Sequence, residues 1–333
     1  MIFARKDERG QAFVLMVVSL VVLLGMSALV LDVGSWFRTK RQLQATADAA
    51  ALAGAQALPE RPGIARTMAM DYANKNGGHL TGGDVTIGTT SVTNDTITVD
   101  PRKTDAGIFS SVFGITSANI HASATALRGS YNGWSLDLSP WVIDKQSVVF
   151  GQTLTFKVMS GDQASSGNFG GVDLPVKEKA CVYGKGGNDY YDLIAKRNHS
   201  CLVNKNELLP VEPGNKAATG TALQDRGAIQ NFDPYSILTT YANGSTEITN
   251  YNHPNVVVIP VIEAFHQGSS EPFKVLSLAW FIITSYTNKE VTGIFVRSGA
   301  PASATCPIKG NPDASCPFGG YDPDGFAVVK LIK

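Results

Sequence analysis

Ala12-Phe13-Val14-Leu15-Met16-Val17-Val18-Ser19-Leu20-Val21-Val22-Leu23-Leu24-Gly25-Met26-Ser27-Ala28-Leu29-Val30-Leu31 is a run of 20 residues without a charge. At about 1.5 Å of rise per residue, a helix of this length spans the roughly 30 Å hydrocarbon core of a bilayer. A core helix of a water-soluble domain would show polar residues at helical spacing. Here only Ser19 and Ser27 are polar, and both can bond back to the preceding turn. The rival reading is a signal peptide, with a basic flank, an apolar stretch of about 7–15 residues and a small-residue cleavage site close behind. Arg5, Lys6 and Arg9 supply the flank, but the run is too long, and the first Ala-x-Ala triplets, such as Ala47 to Ala49, follow only after Arg38, Lys40 and Arg41. The run therefore reads as an uncleaved anchor.

Flanking charge leaves orientation open, with three basic residues on each side. The downstream composition decides it. Residues 59–333 hold all four cysteines, are rich in Thr, Asn and Gly, and contain no second span; Val275 to Ile283 is too short. A short cytoplasmic tail and an exported body are expected. Across the whole chain, 28 basic and 28 acidic residues cancel, so no polyanionic partner is implied and nucleic acid is excluded as the expected ligand.

Beyond the span, Ser35 to Leu58 predicts a continuous helix with a seam at Leu43, Ala47, Ala50, Gly54 and Leu58. Small residues along such a seam let backbones approach closely. Two uses stay open: packing on the chain's own body, or packing on another protein, including a second copy through the N-terminal helix. Asp32 sits at the edge of the span with Trp36 one turn later. It is either an interfacial carboxylate without a protein partner or a contact for another membrane component.

Pro59 and Pro62 end or kink the long helix. A short helix is expected over Ile64 to Lys75, closed by Asn76-Gly77-Gly78. Strands are expected over Asp84 to Thr90 and Thr96 to Asp100, a helix over Thr104 to Phe113, and one strand through Ile120, Ala122, Ala124 and Ala126. From Gly129, helical periodicity fades. Strands are expected at Ser147 to Gly151, Thr153 to Met159, Val256 to Val261, Lys274 to Tyr286, Val291 to Arg297 and Phe326 to Ile332, with short helices at Thr219 to Gln230 and Pro234 to Tyr241. The fold class is α+β, ordered as a tail (1–10), a transmembrane helix (11–34), a stalk helix (35–58), a small α+β module (59–128) and a β-rich extracytoplasmic domain (129–333).

The cysteines form two local pairs, Cys181 with Cys201 and Cys306 with Cys316, with no Cys-x-x-Cys spacing. In an exported protein they are disulfide candidates, and closing the first loop would contribute roughly 3 kcal/mol on a chain-entropy argument. Free thiols in a reducing compartment are the alternative.

Arg9-Gly10-Gln11-Ala12, then Leu31-Asp32-Val33-Gly34, then Leu43-Gln44-Ala45-Thr46-Ala47-Asp48-Ala49-Ala50-Ala51-Leu52-Ala53-Gly54-Ala55 resemble the N-terminal region of Tad/Flp pilus-assembly proteins of the TadE/TadG-like type. Phe113-Gly114-Ile115, Ala122 to Ala126, Glu212 to Lys216 and Val256 to Val261 resemble later segments of longer Tad-domain proteins. The resemblance implies a bacterial inner-membrane, single-pass protein that helps build or anchor a tight-adherence pilus. Its partners would be other pilus-assembly or secretion-system membrane proteins, together with membrane lipid. Two departures matter. Prepilin-like members carry a Glu shortly after the processed Gly, whereas Gly10 is followed by Gln11-Ala12-Phe13-Val14-Leu15, so processing there is not expected. The von Willebrand A-type metal site of some relatives needs Asp-x-Ser-x-Ser, and Asp137-Leu138-Ser139-Pro140-Trp141 lacks the last hydroxyl.

Chemistry finds little support. His79, His121, His199, His253 and His266 are scattered, and His199 near Cys201 has no identifiable third group to orient it. Gly184-Lys185-Gly186-Gly187 lacks the phosphate-loop layout. Asp322-Pro323-Asp324-Gly325 lacks the further oxygen ligands of a calcium loop. No catalytic, cofactor or metal residues are expected. The leading expectation is a membrane-anchored scaffold acting by protein–protein contact, and its rival is a membrane-tethered exported enzyme or ligand-binding protein working through the C-terminal domain.

Overall fold

The computed structural model describes residues 9–332 except 79, 136, 175–186, 198–201, 241–245, 267, 269–270, 299–317 and 323–325. Two compact units emerge. One ends at Leu127 and takes in Leu331, and the other runs from Arg128 to Lys330.

In the first unit, one helix, α1 (Arg9–Ala55), runs unbroken through the apolar run and the alanine-rich segment. Its window of highest hydropathy has no residue buried by protein, and among the described residues it is the one helix long and apolar enough to cross a membrane. Ser27 Oγ donates to Leu23 O at 2.8 Å, so its hydroxyl is satisfied within the helix. Helix α2 (Pro62–Lys75) starts with Pro62 at its first turn, where the missing N–H costs nothing. It ends where Gly77 adopts φ +75°, with Gly78 N–H bonded to Ala73 O at 2.8 Å.

Strands β1 (Val85–Gly88), β2 (Thr96–Val99), β3 (Arg102–Ala106), β4 (Ser117–His121) and β5 (Ala124–Tyr131) follow. β2 pairs antiparallel with β1 and with the first half of β5, with Ile97 opposite Ala126. β3 and β4 form a separate hairpin, from Arg102 opposite His121 to Ala106 opposite Ser117. The core here is built from small residues. Ala47, Ala50, Ala51 and Ala55 of α1, Ala65, Ala69 and Ala73 of α2, and Ala122, Ala124 and Ala126 are fully buried around Ile97 and Val99.

Two expectations are corrected in this unit. Thr104 to Phe113 is not a helix: its first part is β3, and only Ser110–Phe113 forms a short 3-10 turn. Pairing with β4 overrides local helical preference, because every residue of β3 has a partner across the hairpin. The single strand expected through Ile120 to Ala126 is two strands, β4 and β5, each in a different sheet.

The second unit is built on a closed sheet. After β6 (Trp141–Asp144), β7 (Thr153–Met159) and β8 (Asn168–Gly171) come helices α3 (Gly187–Ala195) and α4 (Thr219–Asp225), then β9 (Val256–Ile262), β10 (Phe273–Tyr286) and β11 (Glu290–Val296). β10 pairs antiparallel with β9, β9 parallel with β6, β6 antiparallel with β8, β8 parallel with β7, β7 antiparallel with β11, and β11 antiparallel with β10. The circuit closes into a barrel. Register shifts at Val261/Ile262 and Ile283/Ser285 supply the local bends that closure needs. Gly293 is required on β11, since a Cβ there would lie 2.3 Å from Ile282 O and 2.6 Å from the Phe281 ring.

Alternation along β10 sends Ala279, Phe281 and Ile283 into one core and Leu278, Trp280 and Ile282 into another. The first core is filled by aromatic rings. Trp141 stacks on Phe169 at 5.5 Å between ring centres, Phe156 on Phe169 at 4.6 Å, and Phe281 tilts against Phe295 at 4.8 Å. Tyr190 and Ile194 of α3 and Ala222 and Leu223 of α4 join this cluster. The buried Trp141 Nε1–H donates to Tyr190 OH at 2.7 Å, and Tyr190 OH meets Thr219 Oγ1 at 2.8 Å. Burial pushes the Tyr190 hydroxyl strongly up, so it stays protonated and serves as a hydrogen-bond relay in the core.

Further corrections fall here. Ser147 to Gly151 is no strand: Lys145–Ser147 is a 3-10 turn, and the segment meets the sheet only through an isolated bridge of Phe150 to Phe295, with Gly151 N–H donating to Phe295 O at 2.9 Å. The helix expected over Pro234 to Tyr241 is a 3-10 turn (Pro234–Ile237) followed by a strand (Leu238–Thr240) paired with Thr246–Ile248, and Tyr241 itself lies outside the described residues. Helix α4 stops at Asp225 rather than Gln230, because Gly227 turns the chain with φ +84°.

Candidate functional site

The residues singled out from the sequence divide sharply. Leu43, Ala47, Ala50 and Gly54 are all buried inside the first unit, on the face of α1 that meets α2 and β2. A Cβ on Gly54 would lie 2.6 Å from Ile97 Cδ1 and 2.8 Å from Ala65 O. The close approach that the small residues permit is therefore taken up by the chain's own second helix and sheet, which leaves that seam no surface for another molecule.

Asp32 is not the carboxylate without a protein partner that its position at the span edge suggests. Its oxygens accept the backbone N–H groups of Ile108 at 3.3 Å, Phe109 at 2.8 Å and Ser110 at 2.6 Å. It caps the start of the 3-10 turn at the tip of the β3–β4 hairpin, where three N–H groups converge with no backbone acceptor of their own. The same hairpin is tied to α1 further along. Thr39 Oγ1 donates to Asp105, and Lys40 Nζ to the His121 carbonyl. The Thr39 hydroxyl, together with Lys103, holds the Asp105 carboxyl below the usual carboxylate range. Thus β3–β4 lies along α1 and points back toward the apolar run.

The tip of this hairpin was missed by sequence reasoning, which assigned it to a helix. Gly107 is needed there: a Cβ would lie 2.1 Å from Ser110 Oγ and 2.6 Å from Ile115 O. Gly114 closes the turn with φ +83°. One signal was available. No Asp, Glu, Lys or Arg occurs between Asp105 and Arg128.

Residues 10–57 match the Tad family, described as putative Flp pilus-assembly TadE/G-like. The match covers α1 and the turn that follows it, and stops before α2. No curated protein and no solved structure matches the chain. Within this Tad segment, the apolar half is unburied by protein and the alanine-rich half is the spine of a packed unit. The match supports involvement in Flp pilus assembly, and the family is one of pilus-assembly components rather than enzymes.

In the barrel unit, Asp137 has no metal-like setting. Its carboxylate is buried between Arg197 (2.9 Å) and Arg226 (2.7 Å) at a φ of +51°. Arg226 also donates to Pro254 O and Val256 O, both at 2.8 Å, so the trio locks three chain segments together. Burial pushes the Arg226 guanidinium down to about 10. His253 stacks on Phe232 at 4.4 Å, and burial and Arg197 lower its pKa. Among the described residues, no three His, Cys, Asp or Glu side chains are grouped to hold a metal ion. Cys181, Cys201, Cys306, Cys316, His79, His199, Asp324 and all but the last residue of Gly184 to Gly187 lie outside the described residues. A recess of about 380 Å³ lies beside Lys157, Lys216 and Lys289. Lys216 is occupied, 3.6 Å from Glu212, 3.1 Å from Pro213 O and over the Tyr190 ring, and burial lowers its pKa.

Proposed function

We propose that the chain is a membrane-anchored accessory or scaffold protein of a tight-adherence pilus or secretion machinery, working by protein–protein contact. The observation that carries this reading is the Tad match over residues 10–57, on a helix whose most apolar window is not buried by any of the described residues. The anchor would cross the inner membrane once and leave the barrel unit outside the cytoplasm. Missing Glu after Gly10 favours an accessory over a processed subunit. The partners would be other membrane components of the same machinery.

With the alanine seam occupied internally, contacts with those partners fall to the span, to the outer surfaces of the first unit, or to the barrel unit. A homo-oligomer through the N-terminal helix would use residues 12–31 or the exposed residues of α1 beyond them, such as Phe37. The barrel's packed aromatic core speaks against a ligand carrier that holds its cargo inside the barrel. Purification from membranes of cells expressing the machinery, followed by mass spectrometry, tests the reading. Recovery of pilus or secretion components is expected, and their absence would overturn it.

A further inference from the structure

We propose that the β3–β4 hairpin tip, Gly107 to Thr116, is a second membrane contact that dips into the leaflet on the Asp32 side of the span. This rests on the reading of α1 as an anchor. The tip presents Ile108, Phe109, Val112 and Ile115 to the outside, with Val112 83% and Ile108 73% exposed. Contiguous exposure of large apolar side chains marks a surface that meets something other than water. What it meets follows from where it sits.

The bonds from Asp32 to residues 108–110 place the tip at the level of the last apolar turn of α1. There Leu29, Val30 and Leu31 are themselves exposed, so the tip and the end of the apolar run lie at the same height along α1. Thr39 with Asp105 and Asp32 with Ser110 pair the elements in opposite directions, so the hairpin descends along α1 by about 10 Å at 1.5 Å per residue. Phe37 is exposed further along α1, and a recess of about 350 Å³ lies between Trp36, Phe37, Lys40 and Ile120. Exposed Arg38, Lys40, Arg41, Arg102 and Lys103 lie behind the tip, at headgroup height.

Most of the tip's backbone N–H groups are bonded, as entry into lipid requires, where an unbonded backbone group costs several kcal/mol. The N–H groups of Ile108, Phe109 and Ser110 go to Asp32. Those of Gly107, Val112, Gly114 and Ile115 go to carbonyls within the loop or its stem. Both serine hydroxyls bond back, Ser110 to Ile115 O and Ser111 to Ile108 O. A loop that is charge-free, internally bonded and apolar outward is suited to the interfacial depth of about 5–10 Å reached by monotopic segments. With the span, it would give the first unit two points of attachment and so fix its orientation on the bilayer.

The test uses the full chain in nanodiscs whose lipids carry bromine near the middle of the acyl chain. Trp fluorescence is read for Val112→Trp, Leu20→Trp and Tyr72→Trp, each against the unsubstituted protein. The added emission of Leu20→Trp and Val112→Trp is expected to be quenched, with a blue shift for Val112→Trp, while that of Tyr72→Trp is unchanged. Quenching of Leu20→Trp with Val112→Trp behaving like Tyr72→Trp would overturn the second contact and leave the anchor standing. No quenching of Leu20→Trp would overturn the anchor and the hairpin contact together.

Discussion

Asp32 Oδ2 accepts the backbone N–H of Ser110 at 2.6 Å across 78 positions of sequence. The link ties the rim of the apolar run to the end of a hairpin that begins only after α2, β1 and β2 have been completed. It turns a carboxylate at the end of the apolar run into a cap for three N–H groups, so each side satisfies the other.

Asp32→Asn is expected to leave α1 intact while loosening the hairpin tip. The amide keeps one acceptor oxygen and loses the charge that strengthens these bonds. Hydrogen exchange at Ile108, Phe109 and Ser110 should accelerate at least several-fold, with exchange in α2 unchanged. Unaltered protection at the tip would mean that the cap is dispensable.

Gly54→Ala is expected to destabilise the first unit by about 1–3 kcal/mol, because the added methyl overpacks a contact with Ile97 and the Ala65 carbonyl. Gly63→Ala serves as the control, since nothing lies within 4 Å of its Cβ position. Thermal unfolding followed by circular dichroism in detergent should show a lowered midpoint for the first and none for the second.

Asp137→Ala is expected to cost the barrel unit about 3–5 kcal/mol, the range for stranding a buried charge. Arg226 would keep its carbonyl contacts and lose its counter-ion. A urea titration should show a lower midpoint with an unchanged slope. Asp137→Asn, which keeps one acceptor oxygen without the charge, should recover only part of the loss.

Acid should loosen the β1–β2 loop. Burial raises the pKa of Asp95, but hydrogen bonds from the Val92 N–H, the Thr90 hydroxyl and N–H, and the Ser91 N–H outweigh it and hold the carboxyl below its ordinary 3.8. A depressed folded pKa contributes stability that is present above 3.8 and is lost as pH falls from there through the folded value. Amide exchange at residues 90–92, corrected for its intrinsic pH dependence, should lose protection below about pH 4 in the natural chain. In Asp95→Asn this acid-dependent component should be absent.

Local chemistry was a good guide where one residue type repeats at a fixed interval. The apolar run and the alanine-rich helix behind it are continuous as expected, and Asn76-Gly77-Gly78 ends α2 as its turn residues require. The all-buried Val256–Ile262 strand and the long Phe273–Tyr286 strand were visible as apolar runs. Local reading failed at Thr104 to Phe113, where Thr104, Asp105 and Ala106 tolerate a helix and only pairing with Ser117 to Asn119 makes them a strand. It also left open whether the alanine seam serves the chain itself or a partner, since small residues fit either.

Residue order alone was enough for the apolar run, the spine helix, the likeness of residues 10–57 to the Tad family and the α+β class, because each depends on periodicity or composition within a few turns of chain. The tertiary structure decided the closed barrel, the internal use of the seam at Leu43, Ala47, Ala50 and Gly54, and the partners of Asp32 and Asp137. Those outcomes depend on hydrogen bonds and close packing between segments tens of residues apart, and no local pattern encodes which distant N–H or guanidinium will arrive to satisfy a carboxylate.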